Sequence, residues 1–349
     1  MNNEPALTEI AASQRPYFLG FDVGGTSIKL GLVDDLGRPV AKTKITTEEE
    51  QGPREAVRRA RVAVDEMLAA IGLTIVDVAR VGLCVPGTMD IPRGMFLQPH
   101  NLPHWHYFPI RDCVAEAFGL PVAFANDANA ASYGEFWVGS GQKFHSIILL
   151  TLGTGVGGGI IIGDLSVDGE NSHGSECGHI IVDSSPTARR CGCGQTGHLE
   201  AYCSATALVA RVHELLSGTK VSSLRKRISD VAPLTALMIA EEADRGDSLA
   251  FEAIMELGAW LGFGIVTLMQ TIDPGAIVLG GAMNFGGHDH PVGRRFLEHV
   301  RGVVRKHAFP IPAQRTTIDF AALGGDAGYI GAAGIARLEH HARQKSPSR

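Results

Sequence analysis

The amino-acid sequence predicts an α/β protein built from two related halves. Its 349 residues correspond to about two domains at roughly 150 residues per domain, and a hydrophobic content of 45% is enough for both to bury a core. A strand, a glycine-threonine turn and a returning strand occur near the N-terminus and again about 130 residues later, a separation too long for a solenoid repeat. We therefore expect a duplicated domain whose halves face each other across a cleft.

The first half is predicted from short apolar runs and one amphipathic segment. Apolar residues recur at helical spacing over residues 54–68, with arginines on the opposite face. The short apolar runs end at glycine, proline or asparagine, as strands do. The predicted elements are strands at 17–22, 28–33 and 39–45, a helix at 54–68, strands at 81–85 and 121–124, and a helix at 128–136.

The pattern restarts after Gly139-Ser140-Gly141, a predicted hinge. The elements expected next are strands at 146–152 and 158–162, helices over 205–269, a strand at 276–279 and a helix at 328–338, with a frayed tail from His340. We assign residues 1–138 plus about 325–349 to a smaller N-terminal α/β domain, and 139–324 to a larger C-terminal α/β domain.

Composition and charge exclude several classes of protein. With 37 acidic and 31 basic residues the formal charge is -6, and no long basic block marks a nucleic-acid binder. The longest apolar stretch, residues 257–269, contains three glycines and is shorter than the roughly 20 residues that cross a bilayer. Residues 1–16 lack the order of a signal peptide. We expect a soluble, cytoplasmic protein that binds neither nucleic acid nor membrane.

The run DVGGTSIK at residues 22–29 combines a carboxylate at a strand end, two glycines, two hydroxyls and a lysine. Such a turn can aim backbone N–H groups at phosphate oxygens, while Asp22 can orient a hydrated Mg²⁺. A plain hairpin turn explains the same residues.

A second glycine-threonine turn, LGTGVGGG at residues 152–159, favours the phosphate interpretation. Two such turns could clamp a polyphosphate from both sides. Neither turn fits the P-loop pattern, and a strand rather than a helix follows each, which disfavours a Rossmann site.

Asn126-Asp127 stands where a predicted strand ends and a helix begins. Asp127 could cap the helix. At a cleft, the same carboxylate could accept the proton of a hydroxyl during phosphoryl transfer. The residues themselves leave both roles open.

Three of the six cysteines lie close together, which suggests a metal site rather than a disulfide framework. His179, Cys191, Cys193 and His198 form a predicted tetrahedral site for structural Zn²⁺. Cys177 and Cys203 are rival ligands, and a pair of ordinary reduced cysteines is the alternative. Cys84 and Cys113 lie in apolar surroundings and are expected in the core.

Together these motifs resemble the ROK family of repressors, open-reading-frame proteins and sugar kinases, from Asp22 to about Ala336. The matching segments are DVGGTSIK, VPG at 85–87, ND at 126–127, GTGVGGG, ECGH at 176–179, CGCGQTGHLE at 191–200, DP at 273–274 and GGA at 280–282. One departure is His198, where the family commonly has a third cysteine. The resemblance implies the duplicated, ribonuclease H-like fold of actin-like ATPases.

The resemblance further implies an ATP-dependent kinase that phosphorylates the 6-hydroxyl of a hexose, with Asp127 as the catalytic base and Mg²⁺ on the nucleotide. It implies a homodimer and, as the first choice of substrate, glucose, so that the protein would serve glycolysis. N-acetylmannosamine or N-acetylglucosamine is the alternative substrate, and a sugar-responsive regulator is less expected because only about 16 residues precede the first strand.

The family pattern assigns residues to both substrates. The expected sugar-binding residues are Gly87, Asn101, Asn126, Asp127, Glu176, His179 and Glu200. The expected nucleotide-binding residues are Asp22, Gly24, Gly25, Thr26, Lys29, Gly153, Thr154, Gly155, Gly280 and Gly281. His179 would use one ring nitrogen for zinc and the other for a sugar hydroxyl. His100, His104, Trp105 and His106 could line the sugar entrance, and Asp273 is expected only to shape a turn.

Overall fold

A computed structural model of the chain describes residues 5–99, 102–228 and 233–345. The strands are β1 Tyr17–Val23, β2 Ser27–Val33, β3 Pro39–Thr46, β4 Val78–Val85, β5 Met89–Asp90, β6 Met95–Phe96, β7 Val122–Asn126, β8 Ser146–Leu152, β9 Val156–Ile162, β10 Leu165–Ser166, β11 Ala276–Gly280 and β12 Thr317–Phe320. The helices are α1 Pro53–Ala70, α2 Ile110–Phe118, α3 Asp127–Val138, α4 Glu200–Cys203, α5 Ala205–Leu216, α6 Leu224–Arg227, α7 Ala236–Asp244, α8 Ser248–Ile272, α9 Pro291–His307, α10 Pro310–Arg315 and α11 Ala327–Lys345.

The first sheet has five strands in the order β3-β2-β1-β4-β7. Strands β1, β2 and β3 are antiparallel, whereas β1, β4 and β7 are parallel. Side chains that alternate along β1 serve two cores: Leu19 and Phe21 pack with residues of α1 and α2, and Phe18 packs with residues of α11. The sheet is therefore covered on both faces, as the continuous apolar character of β1 and β4 requires.

The second sheet repeats this plan, with five strands in the order β10-β9-β8-β11-β12. Strands β9 and β10 are antiparallel, and β8, β11 and β12 are parallel. The position of each strand in its sheet is the same as in the first sheet, which confirms the predicted duplication. The sequence analysis did not predict helices α2, α9 and α10, strands β10 and β12, or the small hairpin β5-β6.

By its internal contacts the chain divides into two compact units. The first contains Met1–Ser146, Gly159–Ser175 and Ala322–Arg349, and the second contains Ile147–Gly158 and Glu176–Ala321. The predicted division at 138/139 and 324/325 differs mainly in the segment Gly159–Ser175, which belongs with the first unit. One reason is that Asn129 and Ser132 of α3 hydrogen-bond to Asp168 and to the Gly159 carbonyl.

Helix α11 packs on β1 and β4 and against α3. The contact is close because Gly331 of α11 lies against the Ala130 carbonyl, where a Cβ atom would overlap it. The expectation of a frayed tail from His340 is wrong, since α11 continues to Lys345. His341 Nε2 lies 2.7 Å from Asp35 Oδ1, and the His340 ring packs edge-on against Phe18, so the last turns are held to the unit.

Helix α8 is longer than the apolar stretch at 257–269 suggested. Among the described residues it is the one helix long and apolar enough to cross a membrane, with a mean hydropathy of 1.6 over its best window. Of that window 61% is buried inside the protein, where α5, α7 and α9 pack against the helix. A buried core helix passes the same test of length and composition, so this feature is weak evidence for a membrane span.

Candidate active site

The first glycine-threonine turn joins β1 to β2 and exposes its tip. Gly25 and Thr26 are exposed, whereas the flanking Val23 and Ile28 are buried in the core. The Gly24 N–H donates to the Ser27 carbonyl at 3.0 Å and closes the turn. A hairpin is therefore present, and its exposed tip is also the part that could meet phosphate oxygens.

Asp22 lies at the base of this turn, beside Lys29 on β2 and Cys84 on β4. The Cys84 thiol lies 3.5 Å from Asp22 Oδ1, and the carboxylate lies against Gly328, where a Cβ atom would overlap it. Burial raises the pKa of Asp22, although the charge of Lys29 and the Cys84 hydrogen bond act in the opposite direction. Lys29 donates its Nζ hydrogen bond to the Gly325 carbonyl.

Asn126, the last residue of β7, caps helix α3. Its Oδ1 accepts the N–H of Ala128 at 2.9 Å and that of Asn129 at 3.4 Å. Asp127 is the first helical residue, and its Oδ1 accepts the Ala128 N–H at 2.8 Å. The capping role that the sequence left open for Asp127 thus belongs to Asn126.

Parallel strands bring these groups to one edge of the first sheet. Strands β1, β4 and β7 all point in one direction, so Asp22, the turn after β4 and Asp127 lie at their carboxyl ends. The Asn126 side-chain amide lies 3.5 Å from the carbonyl of Gly87 in the turn after β4. Gly87 has φ +82°, a backbone conformation that favours glycine. A Cβ atom at this position would lie only 3.0 Å from the Pro99 Cα, so the site is also tight for any side chain.

The second glycine-threonine turn joins β8 to β9 in the second unit. Thr154 is exposed, and the Gly153 N–H donates to the Gly155 carbonyl at 3.0 Å. Glu200, at the start of α4, accepts the Val156 N–H through Oε2 at 3.0 Å. This carboxylate reaches the turn because Gly155 has no side chain.

Gly280 is the last residue of β11 and Gly281 follows it, beside this turn. Gly281 has φ +88°, and a Cβ atom there would overlap the Leu152 carbonyl. The Met283 N–H donates to the same carbonyl at 3.0 Å. Both glycine turns of the second unit therefore meet at the carboxyl ends of β8 and β11, which are parallel neighbours.

Four side chains that could hold a metal ion converge in the second unit. The ligand atoms of His179, Cys191, Cys193 and His198 all lie within 4.8 Å of one another. His179 Nδ1 lies 3.3 Å from His198 Nδ1 and 3.7 Å from Cys191 Sγ, and Cys193 Sγ lies 3.2 Å from His198 Nδ1. The rival Cys203 is buried elsewhere, with its thiol 3.6 Å from the Leu257 carbonyl.

Glu200 connects this Cys/His cluster to the second turn. While Oε2 accepts the Val156 N–H, Oε1 accepts the Cys191 thiol at 3.2 Å. On the other side of the cluster, His179 Nε2 lies 4.0 Å from Glu176 Oε2. His179 therefore presents one ring nitrogen to the cluster and the other towards Glu176.

The family model described as "ROK family" matches residues 18–339 of this chain. The chain belongs to the ROK family. A protein named glucokinase from Halalkalibacterium halodurans is 32% identical over 329 residues, which cover 94% of this chain and 97% of the relative.

Two crystal structures of ROK proteins extend the comparison to the fold. A ROK hexokinase from Thermus thermophilus is 30% identical with a TM-score of 0.79, over 93% of this chain and 99% of its own. A ROK family glucokinase from Streptomyces griseus, in complex with glucose and AMPPNP, is 33% identical with a TM-score of 0.73, over 92% and 99%. The predicted actin-like ATPase fold is thereby confirmed.

Some residues expected at or near the sugar site lie elsewhere, or fall outside the described residues. Asn101 and His100 lie outside the described residues. Trp105 does not line an entrance, because it is fully buried and packs edge-on against Phe96 at 5.9 Å between ring centroids. His104 pairs with Glu49, at 2.8 Å from Nδ1 to Oε2.

Two fully buried polar residues of the first unit were missed. The fully buried carboxylate of Glu135 accepts the N–H groups of Ser140, Ala322 and Leu323. The fully buried Thr47 hydrogen-bonds to the first turn. Neither stands in a recognisable motif; a glutamate on the apolar face of a predicted helix was the one available signal for Glu135.

Proposed function

We propose that this ROK protein is an ATP-dependent glucose kinase that transfers the γ-phosphoryl group to the 6-hydroxyl. The proposal rests on the start of α3, where Asn126 caps the helix and Asp127 occupies the first helical position. Because Asn126 supplies the cap, the Asp127 carboxylate can act as the catalytic base. The similarity to glucokinases supports the proposal, above all the similarity to the glucokinase that was crystallised with glucose and AMPPNP.

In the proposed reaction Asp127 orients the 6-hydroxyl and accepts its proton as the bond to phosphorus forms. A base must be ionised, and the N-terminus of a helix favours negative charge. The hydrogen bond from the Ala128 N–H fixes one carboxylate oxygen at 2.8 Å and so limits rotation of the side chain. This arrangement suits a base that must meet one particular hydroxyl.

The two glycine-threonine turns are the proposed phosphate-binding elements. Their exposed residues, Gly25, Thr26 and Thr154, can offer N–H groups and hydroxyls to phosphate oxygens. Gly280 and Gly281 would lie against the adenosine. Mg²⁺ would neutralise charge on the phosphates when bound, and Asp22 is the residue proposed to orient its water shell, since a nearby cation would offset the burial that raises its pKa.

We propose that His179, Cys191, Cys193 and His198 bind a structural Zn²⁺. With Zn–N near 2.05 Å and Zn–S near 2.3 Å, a tetrahedral site has N–N edges of about 3.3 Å and N–S edges of about 3.6 Å. The observed N–N distance is 3.3 Å, and two N–S distances are 3.2 and 3.7 Å. These three distances lie within about 0.4 Å of the tetrahedral edges, which supports zinc as the ion that the cluster would bind.

Glu176, His179 and Glu200 are proposed to bind sugar hydroxyls, together with Gly87, Asn101 and Asn126. Carboxylates accept hydrogen bonds from hydroxyls, and a neutral imidazole can donate or accept one, so a site of this kind rejects analogues that lack those hydroxyls. Because His179 Nδ1 faces the cluster, zinc would fix the ring and leave Nε2 for the sugar.

A homodimer formed through the second unit is also proposed. Trp260, Phe263 and His307 form a connected aromatic strip, with ring centroids 6.0 and 5.2 Å apart, and Phe263 and Phe309 are 38% and 67% exposed. Exposed apolar surface of this kind is typical of an interface. A glycolytic role in the cytoplasm would follow from the same activity.

The test is steady-state ATP-dependent phosphorylation by one zinc-replete preparation, with kcat/KM compared for glucose, N-acetylmannosamine and N-acetylglucosamine. We expect glucose to be preferred by about 100-fold or more, which is about 2.7 kcal/mol of transition-state discrimination. Preference for an N-acetylated sugar would refute glucose as the substrate, and failure to phosphorylate any hexose would refute the kinase assignment.

A further inference from the structure

Two carbonyl oxygens of the first glycine-threonine turn are held by one residue outside it. The Thr47 hydroxyl donates to the Gly24 carbonyl at 2.6 Å, and the Thr47 N–H donates to the Thr26 carbonyl at 3.0 Å. Thr47 directly follows β3 and is fully buried. Both carbonyls are thereby directed towards Thr47.

Arg59 of α1 in turn fixes Thr47. Its guanidinium donates to the Thr47 carbonyl at 2.7 Å and to the Thr46 carbonyl at 2.9 Å, and it lies 3.3 Å from the Glu48 carboxylate. Glu48 has a left-handed backbone with φ +49°, which turns the chain sharply after Thr47. The position of Thr47 is therefore set by two elements, β3 and α1.

The second turn shows the same arrangement with different residues. The Thr206 hydroxyl donates to the Thr154 carbonyl at 3.2 Å, and the Ala205 N–H donates to the Gly153 carbonyl at 2.8 Å. The third carbonyl of this turn, that of Gly155, accepts the Gly153 N–H at 3.0 Å. In each unit a threonine hydroxyl and a backbone N–H from a following segment engage the carbonyls of the turn.

This arrangement matters for an anion because a carbonyl oxygen directed at a phosphate repels it, whereas N–H groups attract it. We propose that Thr47 and Thr206 are positioning residues for the phosphates of ATP. Thr47 holds the Gly24 and Thr26 carbonyls away from the anion, Thr206 holds the Thr154 carbonyl away from it, and N–H groups of each turn are left to face it. The inference rests on the proposed kinase function and adds two residues that do not touch the substrate.

The experiment compares Thr47→Val and Thr206→Val with the wild type. Valine keeps the shape of threonine and removes the hydroxyl, and Thr47→Ser and Thr206→Ser restore it. Thr316→Val is the matched control, because the Thr316 hydroxyl also donates to a carbonyl, that of Pro274 at 3.0 Å, at the amino end of β11. The readouts are KM for ATP, KM for glucose, the Kd of AMPPNP with Mg²⁺, and Tm.

We expect each valine variant to raise KM for ATP and the Kd of AMPPNP about tenfold, the effect of one well-placed hydrogen bond. KM for glucose should stay within about twofold, the serine variants should recover, and Thr316→Val should behave as the wild type. Unchanged AMPPNP binding in both valine variants would overturn the inference, as would equal losses for ATP and glucose that follow Tm.

Two features keep the test decisive. Thr206 is exposed, so Thr206→Val should fold even if the buried Thr47→Val does not. A wild type that phosphorylates no hexose would refute the proposed function, whereas an active wild type with unaffected valine variants would refute only the role of the two threonines.

Discussion

Replacing Glu135 by alanine removes the acceptor of three backbone N–H groups at once. Leu323 N–H lies 2.7 Å from Oε1, and the N–H groups of Ser140 and Ala322 lie 2.8 and 3.1 Å from Oε2. The Leu323 donor is buried, and losing its charged partner costs about 1.5 to 3 kcal/mol. The other two are partly accessible to water, and removal of a buried charge offsets part of the loss.

We therefore expect Glu135→Ala to lower the free energy of unfolding by about 3 kcal/mol. For a unit of this size, that corresponds to a decrease in Tm of about 6 to 12 °C. Glu135→Gln should be intermediate, because an amide keeps one acceptor oxygen and turns an NH₂ group towards a donor.

The assay is calorimetry of the transition of the first unit, with Glu116→Ala as the control. The Glu116 side chain is 80% exposed on α2, and its loss should change stability by less than about 0.5 kcal/mol. A Tm for Glu135→Ala within about 2 °C of the wild type would refute the reasoning, since it would mean that water replaces all three bonds at no cost.

Three further predictions concern the site and its support. Burial raises the pKa of Asp22 in the folded state, so the fold favours the protonated carboxyl; the stability that protonation contributes is present below the unfolded-state pKa and is lost as pH rises through the folded-state pKa. Asp22→Asn, which is neutral at every pH, should therefore raise Tm at neutral pH, and the gain should vanish towards pH 4. Thermal unfolding across pH 4–8 measures this gain, and equal Tm values for both proteins at neutral pH would exclude it. Cys193→Ser should lose the metal that elemental analysis finds in the wild type, while Cys113→Ser, outside the cluster, should keep it; equal zinc in both variants would contradict the assigned ligands. Gly331→Ala should destabilise the first unit by roughly 3 kcal/mol, because its methyl group would overlap the Ala130 carbonyl, and an unchanged urea midpoint would show that α3 and α11 separate freely.

The sequence predicted the repeated strand-turn-strand plan because its signals are local. Glycine pairs between apolar runs mark the turns after β1 and β8, and apolar residues at helical spacing mark α1. The frayed tail was predicted wrongly because the residues that hold it, Phe18 and Asp35, are distant in the chain. Local patterns do not report such contacts.

The candidate site was predictable where one segment holds the chemistry. His179, Cys191, Cys193 and His198 lie within 20 residues and carry ligand types of one metal, so their convergence could be expected. The capping role of Asn126 and the link from Glu200 to the second turn could not, because both depend on the direction of a side chain. Thr47 was missed for the same reason: its role depends on the Gly24 carbonyl, which no sequence pattern reveals.

The central claim is that Asp127 is the base of a sugar kinase, and Asp127→Asn tests it most directly. Asparagine has the same shape and can keep the bond from the Ala128 N–H to its Oδ1, observed at 2.8 Å, so the helix start should be preserved. We expect kcat with glucose and ATP to fall by about 10²- to 10⁴-fold, while the glucose Kd from calorimetry on the same preparation stays within about threefold. A kcat within tenfold of the wild type would contradict the account.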